Sequence, residues 1–254
     1  MNVIVPRKTV VEVRFNPNLR YFRRMDDTAI TLQKTMDVKD WEKTEISVEI
    51  QDAKNHERVR IEFHRVFSEF DSSVELQSDS IDRGTQLIEL CLDGLGVEEI
   101  QSIGIRQWFA IDRGAISESK LIAKILNIYF DENIATLARK SSMQIKDLAI
   151  TLELEDSAEP RKKGRLILGA MSKSQWTAHL RYSGTGHLDA KAIAEIVESL
   201  PSDFVFVDLD MRFGVTDNTS SLPRSKLAEW ASFVKSKQSD KYFNFIKSSR
   251  TNLR

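Results

Sequence analysis

SIGIRQWFAID (Ser102–Asp112) and FVFVDLDMRF (204–213) are the stretches on which the fold turns. Each mixes apolar residues with Arg or Asp in the two-residue period of a β-strand. Each also closes a segment built in one order: a hairpin, then an amphipathic helix, then this strand.

Working outward from the first, 81–95 carries Ile81, Leu87, Ile88, Cys91, Leu92 and Leu95 at helical spacing, with Gly94 and Gly96 to end it. Before it, 45–50 sets Ile46, Val48 and Ile50 against Glu45, Ser47 and Glu49. The return strand, 58–67, sets Val59, Ile61 and Phe63 against Arg58, Arg60, Glu62 and His64, across turn residues Asp52 to Asn55. Residues 9–15 (TVVEVRF) are β-branched and read as a strand, a second is predicted at 29–33, and Trp41 falls in a polar connection.

In the second half, Asp112, Arg113 and Gly114 turn into a bridging helix capped by Ser117 and carrying Leu121, Ile122, Ile125, Ile128 and Tyr129. Strands 146–155, 165–171 and 175–182 follow, the first two joined by the basic turn EPRKKG (159–164). Residues 189–200 repeat the helix with Ile193, Ile196, Val197 and Leu200, and Pro201 and Ser202 break it. Ser221 and Pro223 mark the start of a terminal helix with Leu227, Trp230, Ala231 and Val234 on one face, continued by Tyr242, Phe243 and Ile246.

This order predicts an α+β fold: two tandem units of antiparallel sheet covered by helices, 1–114 and 115–254, the second ending in the C-terminal helix. One continuous sheet shared by both halves is the alternative. The chain of 254 residues suits either one large core or two modest ones. With 41% apolar and 30% charged residues, its composition is that of an ordinary globular protein.

No apolar run approaches the roughly 20 residues of a membrane helix, and residues 1–6 lack the basic leader and long apolar core of a signal peptide. Cys91 is the single cysteine, which excludes an intrachain disulfide. It lies in LIELCL (87–92), the setting of a buried structural thiol, and a cytoplasmic location follows. The net charge of −1 hides segregation: Arg7, Lys8, Arg14, Arg20, Arg23 and Arg24 crowd the start, further lysines and arginines follow Pro223, and 75–99 is acidic. If the ends meet, they form a basic face able to contact nucleic acid or an acidic protein; the competing reading is a set of solvated surface charges.

Asp208 and Asp210 are the sharpest chemical candidates. Alternate strand residues share a face about 7 Å apart, so both carboxylates join Arg212, while Val205, Val207, Leu209, Met211 and Phe213 take the buried side. Such a pair can hold Mg²⁺ or Mn²⁺ when a third oxygen ligand completes the shell, or form a salt-bridged ladder with Arg212. Arg106 occupies the matching place in the first closing strand, beside Gly104, which thins that face, and Trp108. It can grip an acidic group or an internal carboxylate. His56, His64, His179 and His187 show no metal-ligand spacing, and His64 and His179 are predicted on strand surfaces. GTGH (184–187) lacks the lysine of a phosphate loop. No catalytic constellation is visible.

On Val11-Glu12-Val13-Arg14-Phe15, Ile103-Gly104-Ile105-Arg106, Val207-Asp208-Leu209-Asp210 and the helix with Trp230, Phe233 and Phe243, the chain resembles an uncharacterised, sporadically distributed bacterial family of about this length. Gln107 stands where that family's central motif has Tyr. The resemblance implies an accessory protein of bacterial defence or mobile-element neighbourhoods and assigns no catalytic residue.

The expectation is therefore a non-enzymatic binding or assembly subunit without a cofactor. Arg106, Trp108 and Arg212 are its binding residues, its partner is a protein, a second copy of itself or nucleic acid reached through the basic termini, and it makes no membrane contact. Two alternatives stay open: a divalent-metal enzyme acting on a phosphate ester through Asp208 and Asp210, and a small-molecule sensor with its pocket between the halves.

Overall fold

The two closing strands lie side by side. A computed structural model of the chain describes residues 7–52, 55–71, 80–112, 120, 122–123, 148–182, 190–201, 203–215 and 220–237. In it β1 (Lys8–Arg14), β2 (Trp41–Lys43), β3 (Ser47–Asp52), β4 (Glu57–Glu62), β5 (Arg65–Asp71) and β7 (Ser102–Asp112) come from the first half. The second half supplies β8 (Ala149–Glu155), β9 (Lys162–Ser172) and β10 (Asp203–Gly214). Together they form a nine-stranded sheet in the order β2-β3-β4-β5-β1-β7-β10-β9-β8, antiparallel at every described pairing.

The fold is α+β, with a large antiparallel sheet and a C-terminal helix. The sheet passes from the first half into the second through β7 and β10, whose register runs from Phe204 opposite Asp112 to Gly214 opposite Ser102. A small second ladder joins β6 (Glu99–Ile100) to β11 (Leu222–Pro223).

One face of the sheet is the main core. Val11 and Val13 of β1, Ile103, Ile105 and Phe109 of β7, and Val205, Val207, Leu209, Met211 and Phe213 of β10 all point there and are buried. Covering them are α1 (Leu19–Met36), α2 (Ser80–Leu95) and α5 (Lys226–Lys237). Gly84 lets α2 approach closely: a Cβ there would meet Ser68 Oγ and Val11 Cγ2, each at 2.8 Å. Cys91 is buried inside α2, and burial alone pushes its thiol far up, so the thiolate is disfavoured. Gly96, with φ of 73°, supplies the left-handed residue that ends this helix. No helix among the described residues is long and apolar enough to cross a membrane.

Among the described residues the other face is covered only at one end. There α3 (Lys173–Tyr182) and α4 (Ala190–Glu198) pack Trp176, Leu180, Ile193 and Ile196 on Trp108, Phe204 and Phe206.

Several predicted elements differ from those observed. Residues 29–33 are helix, within α1. Met25, Ala29, Leu32 and Met36 make its buried stripe, and Thr28, Thr31 and Thr35 bond back to carbonyls four residues earlier, which accommodates a β-branched segment in helix. Asn18 caps it by accepting from the Arg20 N–H at 2.9 Å.

The strand expected at 58–67 is two, β4 and β5, turned at Phe63 and His64, and Glu62 closes that turn by accepting from Arg65 Nε at 2.7 Å and Nη2 at 3.0 Å. Residues 175–182 belong to α3, not to a strand. The Ser172 N–H reaches Gln175 Oε1 at 2.7 Å and the Gln175 N–H reaches Ser172 Oγ at 3.4 Å, a capping box. Leu222 and Pro223 form β11, and the last helix starts at Lys226, so Ser221 bonds Glu99 and caps nothing. Strand β3 is buried on both faces, not one, while Ile46 just before it is exposed. Most of the bridging helix, His187 and residues 238–254 lie outside the described residues.

Candidate functional site

The part of the second face that no described helix covers is a ladder of charge. Read across the strands, one row runs Arg58, Glu69, Val10, Arg106, Asp210, Arg165, Glu153. The next runs Arg60, Phe67, Glu12, Gly104, Arg212, Lys163, Glu155. Directly opposed cross-strand residues sit about 5 Å apart, close enough for opposite charges to pair.

Asp208, Asp210 and Arg212 share this face as expected, and the β7–β10 register adds Arg106, which no reading of either strand alone could join to them. Arg106 donates to Asp208 through Nε at 2.9 Å and Nη2 at 2.6 Å. Arg212 donates to Asp210 through Nε at 3.2 Å and Nη2 at 2.9 Å, and Arg165 reaches the same carboxylate at 3.4 Å. The Asp208 bond, aided by nearby carboxylates and opposed by burial, raises the Arg106 guanidinium above its ordinary value; the Asp210 bond does the same for Arg212.

Both carboxylates are buried, at 2% and 4% exposure, whereas the arginine side chains reach outward at 36% and 61%. Each arginine spends its Nε and Nη2 on the carboxylate behind it and keeps Nη1 unengaged among the described residues. Holding Mg²⁺ or Mn²⁺ at the aspartate pair would require three guanidiniums to let go. Among the described residues no group of three His, Cys, Asp or Glu is placed to hold a metal ion.

Beyond these pairs lies a groove of about 810 Å³ that crosses the seam between the halves. Its wall carries Lys8 and Arg14 from β1, Arg58 and Arg65 from β4 and β5, Arg106 and Arg212 from the seam, and Arg161 and Lys163 from the basic turn. Three carboxylates, Glu12, Glu69 and Asp210, line the groove with these eight cations, and Asp208, Glu62, Glu159 and Glu155 pair with Arg106, Arg65, Arg161 and Lys163 beside it. Gly104 hollows the floor: a Cβ there would meet nothing nearer than Arg212 Cγ at 4.0 Å. Phe67 lies beside it, with the Arg58 and Arg65 guanidiniums 5.4 and 5.5 Å from its ring centre.

At the helix-covered end, Trp108 is buried under Lys8 at 4.9 Å and Arg106 at 5.2 Å, and His179 of α3 stands 4.5 Å from its ring. Burial, helped by the Arg106 and Lys8 charges and opposed by Asp208, lowers the His179 imidazole below its ordinary value, which keeps it neutral. Trp108 Nε1 and His179 Nε2 find no hydrogen-bond partner among the described residues. Deeper still, Lys8 pairs with Glu69 and Asp71, and Arg58 joins Glu69 at 2.6 Å.

The described basic residues of the two ends part company. Lys8 and Arg14 reach the groove, while Arg224, Lys226 and Lys235 pair with Asp93, Glu229 and Asp82 on the helix side. The basic turn is visible in the sequence but its division is not: Lys162 leans over Phe233 on the helix side, Arg161 and Lys163 line the groove, and the Arg161 guanidinium also lies 5.2 Å from the Phe213 ring. Strand period two would have separated them. His179, expected on a strand surface, lies instead on α3, whose residues 175–182 carry a strand-like pattern.

Comparison with known proteins finds no matching family model and no match among curated proteins.

Proposed function

We propose that this chain is a binding or assembly subunit, not an enzyme, that holds an anionic partner in the groove at the β7–β10 seam. The observation that carries this reading is the pair Arg106 and Arg212 on the groove wall, each held from behind by a buried carboxylate and turned outward. Arginines fixed in this way bind an oxyanion without first losing side-chain freedom. A cytoplasmic setting, and the bacterial defence or mobile-element context that the resemblance implies, belong to the same proposal.

Retention on immobilised heparin tests it. Arg106→Gln combined with Arg212→Gln is expected to elute at lower salt than the wild type, and Arg224→Gln with Lys235→Gln, on the helix side, to elute with it. Unchanged elution of the groove variant would overturn the reading.

A further inference from the structure

We infer that the occupant of the groove is a single nucleic-acid strand, with one backbone phosphate seated over Gly104 between Arg106 and Arg212; this deepens the reading above and rests on it. A phosphodiester presents two charged oxygens, and the two Nη1 groups, unengaged among the described residues, offer one donor to each over the space that Gly104 leaves, while Asp210, opposite Arg106, is already bonded by Arg212 and Arg165. Partly exposed cations continue in both directions from this point, to Arg65 on β5 and to Lys163 on β9. Those strands are four steps apart in the sheet, about 19 Å at the usual strand spacing, which is long enough for a few nucleotides.

The stack of Phe67 and Arg65 supplies what a polyanion without bases would not use. The half-buried Phe67 ring lies under the Arg58 and Arg65 guanidiniums, and the Arg65 side chain, 31% exposed, offers its outer plane to a base. A duplex is read by elements that project into its grooves, and this floor is recessed. An acidic peptide would engage the guanidiniums but leave that stacking plane unused.

Fluorescence anisotropy with a labelled 12-nucleotide single strand, titrated across salt, tests the assignment. The strand is expected to bind at least tenfold more tightly than a duplex of the same length. Arg212→Gln is expected to weaken it about fivefold and to flatten the plot of log K against log salt by about 0.7, the loss of one phosphate contact. Gly104→Val, which fills the floor, is expected to weaken it tenfold or more with an unchanged or raised melting temperature.

Displacement of the strand by charge-matched polyglutamate at equal affinity would make the partner an acidic protein, overturning this inference and leaving the anion groove standing. Full-affinity binding of a mononucleotide that excludes the strand would do the same in favour of a small ligand. Strand binding indifferent to both variants would remove the groove reading as well.

Discussion

Arg106 and Asp208 do not contribute equally to the fold, and a double-mutant cycle between them exposes the difference. Asp208 has a side chain 3% exposed, whereas Arg106 is 36% exposed. Removing the arginine strands a carboxylate that cannot reach water, and losing one partner of a buried pair costs about 3–5 kcal/mol when neither survivor is solvated. Neighbouring Arg212 and Arg165 are committed to Asp210, so they compensate little.

Because the outer partner is screened by solvent, we discount that range and expect Arg106→Gln to cost about 2–3 kcal/mol. Asp208→Asn leaves a guanidinium that can turn to water, so about 1 kcal/mol is expected. The double variant should cost less than the sum, with a coupling of about 1–2 kcal/mol. Urea unfolding at neutral pH, read by near-ultraviolet circular dichroism, measures all four corners of the cycle. Additive losses, or Asp208→Asn costing more than Arg106→Gln, would refute the claim that the carboxylate is sealed beneath an outward-facing arginine.

Three other perturbations probe the rest of the account. His179 has a folded-state value below its unfolded one, so its contribution is present above the unfolded value near 6.5 and is lost as pH falls toward the folded one. Stability is expected to decline on acidification below about pH 6.5, by no more than about 1.4 kcal/mol per pH unit for this one proton, and His179→Gln to flatten that slope. Gly84→Ala is expected to cost about 1–3 kcal/mol, because its Cβ would stand 2.8 Å from both Ser68 Oγ and Val11 Cγ2; thermal unfolding at wild-type temperature would argue against the close α2 contact. Cys91, buried in α2, is expected to react with a thiol reagent only as fast as the protein opens, so its labelling rate should follow the unfolding equilibrium measured in denaturant. Rapid labelling in native buffer would contradict the packing described.

Alternation made β7, β9 and β10 legible, although Gln107 interrupts the apolar face of β7, and helical spacing made α2 legible. Alternation also set Asp208, Asp210 and Arg212 on one side of β10, and Arg106 with Gly104 and Trp108 on one side of β7. The site itself was hidden because it depends on which strands are neighbours. Arg106 meets Asp208 only through a register between residues about a hundred positions apart, and local periodicity carries no information about it. Segment 29–33 misled because its β-branched residues look like strand, while the helical stripe that decides it, Met25 to Met36, is spread over three turns.

The capping box at Ser172 and Gln175 was readable and would have turned 175–182 into helix, placing His179 above the sheet. The merged strand at 58–67 shows the opposite case. Alternation continues straight through Phe63 and His64, while the Glu62–Arg65 pair, three residues apart, closes a turn that alternation does not register.

Photo-crosslinking of a 4-thiothymidine oligonucleotide, followed by peptide mapping, tests most directly whether the charged sheet face is the recognition surface. The account expects crosslinks within β5, β7 and β10, at or beside Phe67, Gly104 and Arg212. Crosslinks confined to α1, α2 or α5 would contradict it.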